Sequence, residues 1–306
     1  MSDGGYYLKV IPFRDVKIPI LLQNQNGPCS LIAIMNVLLL KRHIHINHQQ
    51  TSFISAKTVL EYLANYLFEQ QQQQKRSEDD YDANYAQNVN DALNVLRHMD
   101  TGLNVNVRFN GIQKFEFTRE CAIFDLLNIE LMHGWLIDPV KERELYDLIG
   151  DKGYNEVIER YRCPLTERFR RENPTQLTDY GLKRLEETLK DNQLVVLFHN
   201  NHFSTLYKFN HRLFLLVTDQ GFIDQTNVVW ETLDNTRGNS LMCDGQFRNY
   251  RERVQLQRNE EQDEQLALAL QQQEGYHYND RHYQQRYYNT KNYYDDQMES
   301  SCCILL

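Results

Sequence analysis

No stretch of this 306-residue chain is long and apolar enough to cross a bilayer. The longest apolar run, Leu31 to Leu40, is broken by Asn36 and falls well short of the roughly 20 residues a spanning helix needs. The opening segment, Met1 to Tyr7, has neither the basic region nor the apolar core of a secretory leader. Six cysteines, at 29, 121, 163, 243, 302 and 303, follow no regular spacing and form no zinc pattern. A disulfide scaffold is therefore excluded, and a reducing, intracellular setting is expected. The net charge of −9, with no basic stripe and no glycine-rich phosphate loop, excludes a general nucleic-acid binder. The length allows one substantial domain plus appendages.

What the chain does have is one cysteine in a particular place. Gln23-Asn24-Gln25-Asn26-Gly27-Pro28-Cys29-Ser30 runs straight into Leu31-Ile32-Ala33-Ile34-Met35-Asn36-Val37-Leu38-Leu39-Leu40. Pro28 suits the start of a helix, where its missing N–H costs nothing, and Gly27 frees the backbone before it. The run that follows is apolar on nearly every side, so the helix is expected to be buried. At its N-terminus, Cys29 meets the positive end of the helix dipole and unpaired N–H groups, both of which stabilise negative charge. Gln23, six residues upstream, offers an amide that can reach an oxyanion beside the thiol. A core cysteine preceding a hydrophobic helix would give the same local pattern.

A thiol nucleophile needs a base, which can be distant in sequence. Among ten histidines, His43, His45 and His48 alternate with Ile44 and Ile46 as an exposed edge or loop, and His133 reads as structural. His202 differs. Leu194–Phe198 reads as a strand, His199-Asn200-Asn201 as a turn, and His202–Phe209 as the next strand. Asn210-His211 makes a two-residue turn into Arg212–Asp219. If Phe209 pairs with Arg212, counting outward puts His202 opposite Asp219, on one face of the sheet. A carboxylate there would hold the imidazole in its working tautomer. Asn201 and Gln220 are local alternatives for that role.

A cysteine at the start of a buried helix followed by a later strand histidine is the layout of papain-like hydrolases. The segment from Gln23 to Ile34 resembles the nucleophile loop of the MINDY deubiquitinases, which reads much like N-G-P-C-P-L-L-A-I-M-N-V-L-L-L. This chain has Ser30 where the family usually has Pro. Thr101–Phe109, Phe124–Leu127, His133–Pro139, Thr175–Thr178, Asn200–Thr205 and Leu216–Phe222 are similar to further blocks of that family, in the same order, so the likeness spans about Tyr6 to Phe247. The resemblance implies an α+β papain-like fold and thiol-dependent hydrolysis of isopeptide bonds in polyubiquitin. It also implies a preference for the lysine linkage that marks proteins for the proteasome. Cys29 would be the nucleophile, His202 the base, Gln23 an oxyanion donor and Asp219 the orienting acid. No metal or organic cofactor is called for. The alternative, an inactive ubiquitin-binding adaptor, has no need of Cys29, His202 and Gln23 together.

The pattern along the chain predicts a catalytic domain over 1–252 with strands clustered late, in an antiparallel sheet that carries His202. Helices are expected near Ala56 to Phe68, Asn84 to Met99 and Arg143 to Tyr161, and from Thr178 to about Leu189. Beyond the hairpin, strands are expected at Val105–Phe109, Phe115–Phe117, Cys121–Phe124 and Val228–Trp230. Residues 69–81, five glutamines and a charged cluster among them, read as an exposed insertion loop. Residues 259–274 open with acidic residues and continue as an Ala/Leu helix. Leu266, Ala269 and Leu270 share one face there, with the small Ala269 allowing close approach. This resembles a ubiquitin-interacting motif, with Gln273 in place of the usual serine. The tail over 275–302, rich in Tyr, Asn and Gln, cannot build a core and is expected to be disordered. The chain ends Cys303-Ile304-Leu305-Leu306, a prenylation pattern whose final Leu favours geranylgeranyl, and Cys302 is a second candidate for lipid. The expected partners are therefore polyubiquitin and ubiquitinated proteins, with a membrane reached through the lipid. The protein is expected to be cytoplasmic and monomeric.

Overall fold

The first element with no polar side is the helix α1, Cys29–Leu40, in which every residue from Ser30 to Leu40 is buried. In this computed structural model, which describes residues 4–24, 27–47, 49, 51–74, 103–256, 258–266 and 270, α1 is apolar all round because it is covered on more than one side. It packs on the hairpin strand β2 (Val16–Leu21) and on β5 (Leu194–His199) and β6 (His202–Phe209). One sheet has three strands in the order β2-β1-β3, with β1 at Gly5–Phe13 and β3 at Phe53–Ser55. The other has six, in the order β4-β5-β6-β7-β8-β9, with β4 at Leu131–His133, β7 at Arg212–Leu216, β8 at Trp230–Thr232 and β9 at Met242–Cys243. A single apolar cluster joins both sheets through α1, including Ile11, Ile20, Val37, Val196, Phe203 and Trp230. The fold is α+β, as expected.

The β6–β7 hairpin begins in the predicted register, with Phe209 paired to Arg212. His199, expected in the turn, instead ends β5 and pairs with His202. Both turns are two-residue turns with positive φ throughout: Asn200 52°, Asn201 54°, Asn210 48° and His211 61°. That geometry carries the right-handed twist of the flanking strands, and Asn tolerates it better than other non-glycine residues.

Several elements differ from expectation. The β6–β7 ladder stops at Leu206↔Leu215, so the count that set Asp219 opposite His202 does not reach it. Beyond Leu216 the chain is drawn elsewhere: Val217 N–H donates to Val229 O at 2.9 Å, and Thr218 O accepts from Gln23 N–H at 2.6 Å. The sheet is also not wholly antiparallel, because β4 and β5 pair in parallel. Cys121–Phe124 lies in a helix, α3 (Arg119–Leu126), whose N-terminus is capped by Thr118 Oγ1 accepting from Cys121 N–H at 3.2 Å. Short apolar runs do not separate strand from helix by period. Val105–Phe109 and Phe115–Phe117 contribute only two isolated bridges, Val107↔Phe115 and Arg108↔Gly153. The segment 143–161 is two helices, α4 (Arg143–Ile149) and α5 (Tyr154–Arg160), divided between Gly150 and Gly153. A further helix, α6 (Pro164–Glu172), opens with proline. Next, α7 (Asp179–Thr188) begins where Thr178 Oγ1 accepts from Gly181 N–H at 2.9 Å. The last expected strand lies slightly later, as Trp230–Thr232.

The helix α2 spans Ala56–Gln74, so residues 69–74 of the expected loop continue a helix, as good helix formers such as Gln can. The rest of that segment and the expected helix at 84–99 lie outside the described residues. Strands are not confined to the second half either. The early hairpin is hard to read because Pro12 and Pro19 interrupt it. They are tolerated because β2 is an edge strand and β3 pairs only with Gly5–Tyr7 of β1.

The chain divides into two units, the second starting at Tyr250. In that second unit residues 250–256 and 258–266 are helical, and Leu266 and Leu270 are exposed. Ala269 and Cys303 lie outside the described residues.

Candidate active site

Cys29 is the first residue of α1, half-buried and free. Pro28 sits at the cap with extended backbone, and its carbonyl accepts from Ile32 N–H at 3.2 Å. The turn before it closes through Gly27 N–H to Asn24 O at 3.0 Å. No acidic residue occupies the first turn of α1, so nothing there offsets the positive helix end. The Ser30 hydroxyl, next to the thiol in sequence, is buried without a hydrogen-bond partner.

Gln23 is fixed by its backbone and reaches toward that turn with its side chain. Its N–H donates to Thr218 O at 2.6 Å, and its carbonyl accepts from Gln220 N–H at 3.1 Å. Its Nε2 donates to Gly27 O at 3.0 Å, two residues before Cys29. Gln23 and Asp219 form a parallel bridge, so these two expected site residues are direct neighbours. Asp219 Oδ1 accepts from Gly221 N–H at 2.6 Å and caps a short 3-10 turn over Gln220–Phe222. The segment after it is held by Lys9, whose Nζ donates to Phe222 O, Gln225 O and Val228 O at 2.7, 2.9 and 2.7 Å. Burial lowers the Lys9 pKa from its ordinary value. An isolated lysine in a strand carries no mark of this role in sequence.

His202 opens β6 and is half-buried. Burial lowers its pKa from the ordinary imidazole value, which favours the neutral ring that can accept a proton. Three residues further on, Thr205 Oγ1 donates to Ala33 O of α1 at 3.2 Å, tying the histidine strand to the cysteine helix one turn past Cys29. The residue facing it across the turn is His199, paired directly with His202. Its pKa is lowered by burial and then by the charge on His202. In sequence His199 reads as part of the turn, and only the two-residue turn geometry reveals it as the flanking pair.

His133 and His43 are occupied elsewhere. His133 is fully buried, its Nδ1 accepting from Trp135 N–H at 3.2 Å, so Nε2 carries the proton toward Lys114 O at 3.1 Å. Burial pushes its pKa down to about 4. His43 Nδ1 meets Tyr66 OH at 3.0 Å, and His48 lies outside the described residues. Among the described residues no group of three or more His, Cys, Asp or Glu could hold a metal.

A cavity of about 560 Å³ abuts the histidine hairpin, with Val105, Trp135, Tyr154, Gln176, Phe198 and Asn201 among its walls. Gln176 pins the residue before His202, giving Nε2 to Asn201 Oδ1 at 2.8 Å and taking Asn201 N–H on Oε1 at 2.7 Å. The Trp135 indole N–H is buried without a partner.

The model of the MINDY deubiquitinase family matches residues 4–247. The chain belongs to the MINDY family. The match includes Gln23, Cys29, His202 and Asp219 and ends before Leu266. Mouse (Mus musculus) ubiquitin carboxyl-terminal hydrolase MINDY-2 is 39% identical over 292 residues, covering 89% of this chain and 48% of that protein. Human (Homo sapiens) ubiquitin carboxyl-terminal hydrolase MINDY-1 is 41% identical over 255 residues, covering 79% of this chain and 54% of that protein. The zebrafish (Danio rerio) MINDY-1 is 39% identical over 256 residues, covering 79% and 48%. The chain thus spans about half the length of these relatives. The α+β layout, with a buried helix behind the cysteine and a strand histidine, is the papain-like one expected of the family.

Proposed function

We propose that this chain is a thiol-dependent deubiquitinase that hydrolyses isopeptide bonds in polyubiquitin, with Cys29 as nucleophile. The observation that carries the reading is the convergence on one helix end: Cys29 begins α1, the Gln23 amide reaches Gly27 just before it, and the strand opened by His202 is tied to the same helix at Ala33. Cys29 Sγ attacks the scissile carbonyl carbon, and the carbonyl oxygen becomes an oxyanion. The Gln23 Nε2 and the Cys29 backbone N–H stabilise it, the former by exchanging its present bond to Gly27 O. His202 takes the thiol proton and gives it to the departing lysine amine, leaving a thioester. Water, with His202 as base, releases the ubiquitin carboxylate and regenerates the thiol. Asp219 is the carboxylate proposed to orient His202. Its Oδ1 is engaged by Gly221 N–H, so Oδ2 would meet the imidazole.

The same reading assigns the proteasome-targeting lysine linkage as the preferred chain type. Leu266, Ala269 and Leu270 would form a second, tail-borne contact with ubiquitin, which the exposure of Leu266 and Leu270 supports. A prenyl group on Cys303 would bring the otherwise cytoplasmic monomer to a membrane. Among the described residues no helix is long and apolar enough to cross one. Incubating the purified chain with a panel of linkage-defined ubiquitin chains tests the reading. Cleavage of one linkage ahead of the others is expected. Binding without cleavage of any linkage would favour an inactive adaptor.

A further inference from the structure

The one polar side chain inside the apolar stretch of α1 is Asn36, which is wholly buried. It makes two hydrogen bonds, both to one residue of β2: Oδ1 accepts from Leu21 N–H at 2.7 Å, and Nδ2 donates to Leu21 O at 3.0 Å. The side-chain amide thus acts as a further strand on the open side of β2, an edge strand whose backbone groups would otherwise be left unpaired in the core. Asn36 follows Cys29 by seven residues, so the two share a face of α1 about two turns, or about 10.5 Å, apart. Leu21 precedes Gln23 by two residues, about 6.6 Å of extended chain. From Leu21 the chain leads toward the nucleophile end of α1, because Gln23 Nε2 reaches Gly27 O there.

We propose that Asn36 is a positioning residue, fixing the end of the strand that leads into Gln23 against the helix that carries Cys29 and so setting the distance between oxyanion donor and nucleophile. The proposal rests on the deubiquitinase reading above. Its physical content is a rigid lever. Two hydrogen bonds in the core prevent β2 from sliding along α1, and a slip of even about 1 Å would misalign the Gln23 amide with the oxyanion. An apolar residue at 36 would fill the space but release the lever.

A double-mutant cycle tests this on the ubiquitin chain that the wild-type protein cleaves. Gln23→Ala is expected to lower kcat by about 10²–10³, as loss of one oxyanion donor does. Asn36→Leu is expected to lower kcat by about tenfold or more with little change in KM, since it acts on a bond made in the transition state. Combined with Gln23→Ala, Asn36→Leu should cost less than about twofold further in kcat, while its loss of thermal stability is the same in both backgrounds. A merely structural Asn36 would lower stability without this dependence on Gln23. If the two kcat losses multiply, or if Asn36→Leu retains wild-type kcat, the proposal falls while the assignment of Cys29 and Gln23 stands. If Gln23→Ala alone leaves kcat unchanged, the donor assignment itself falls, and the lever with it. Should the Asn36→Leu variant not fold, Asn36→Asp, which keeps an acceptor for Leu21 N–H, enters the same cycle under the same criteria.

Discussion

Two leucine-rich helices in this chain meet opposite fates. In α1, residues Ser30–Leu40 are all buried, whereas in the helical stretch after Tyr250, Leu256, Leu266 and Leu270 stand 39%, 60% and 54% exposed. Leucine content does not separate them. What does is the absence of charge in α1 against the acidic run Glu260-Glu261-Gln262-Asp263-Glu264 within the tail stretch. A helix apolar all round must be enclosed by its own domain. One with a narrow apolar stripe and many charged residues can stay solvated and hold that stripe for another surface. In the function proposed above, the first unit would carry the chemistry and the second the recruitment.

The sharpest way to break that division is Cys29→Ala. Chain cleavage and labelling by a ubiquitin C-terminal electrophile should be abolished, while binding of polyubiquitin through the tail persists. Residual cleavage at a wild-type rate would remove Cys29 as nucleophile.

The next effect concerns only the first unit. His133 is neutral in the fold with a pKa of about 4, against an ordinary value of 6.5. The folded form therefore binds fewer protons than the unfolded one between those values. The stability this represents is fully present above about pH 6.5 and is lost as the pH falls toward 4, about 3 kcal/mol in all. His133→Gln should flatten that part of the stability–pH curve measured by chemical denaturation. An unchanged slope between pH 6.5 and 4 would show that His133 does not titrate as described.

Ala269→Arg places a long charged side chain on the tail stripe. It should slow cleavage of long ubiquitin chains by several-fold, within the ~1–2 kcal/mol range of a single contact residue, and leave short chains nearly untouched. Equal slowing of both lengths, in a gel assay of chain cleavage, would make the helix structural. The smallest effect in solution belongs to Cys303→Ser. Cleavage rates should be unchanged while membrane association in cells is lost, read by fractionation together with the intact mass of the C-terminus. A wild-type protein found unmodified and wholly soluble would end the lipid reading and leave the enzyme reading intact.

The half of the site built on local signals is legible in the sequence. Pro28-Cys29 followed by an uncharged apolar run marks a buried helix start, and the turns read at His199-Asn200-Asn201, one residue too long, and Asn210-His211 mark the strand that His202 opens. The place of Asp219 is not legible, because a strand register counted from a turn holds only while the ladder lasts. Here it gives way after Leu206↔Leu215, and Val217 and Thr218 take Val229 and Gln23 as partners. Those partners come from distant parts of the chain, and no local pattern announces them. The same is true of Lys9 and Asn36, which look like blemishes in apolar elements. Each instead bonds backbone groups that are brought to it only by the tertiary fold.

The contacts of Lys9 also order the steps by which the protein is made. Its ammonium bonds carbonyls 213, 216 and 219 residues downstream, and Gln23 is held by Thr218 and Gln220. During synthesis the helix bearing Cys29 leaves the ribosome long before any of these partners exists. Pairings so distant in sequence close late in folding. Gln23 and Cys29 are therefore made early and the partners that hold Gln23 come late, so a nascent or truncated chain ending before residue 218 carries both side chains without the segment that fixes Gln23 in place.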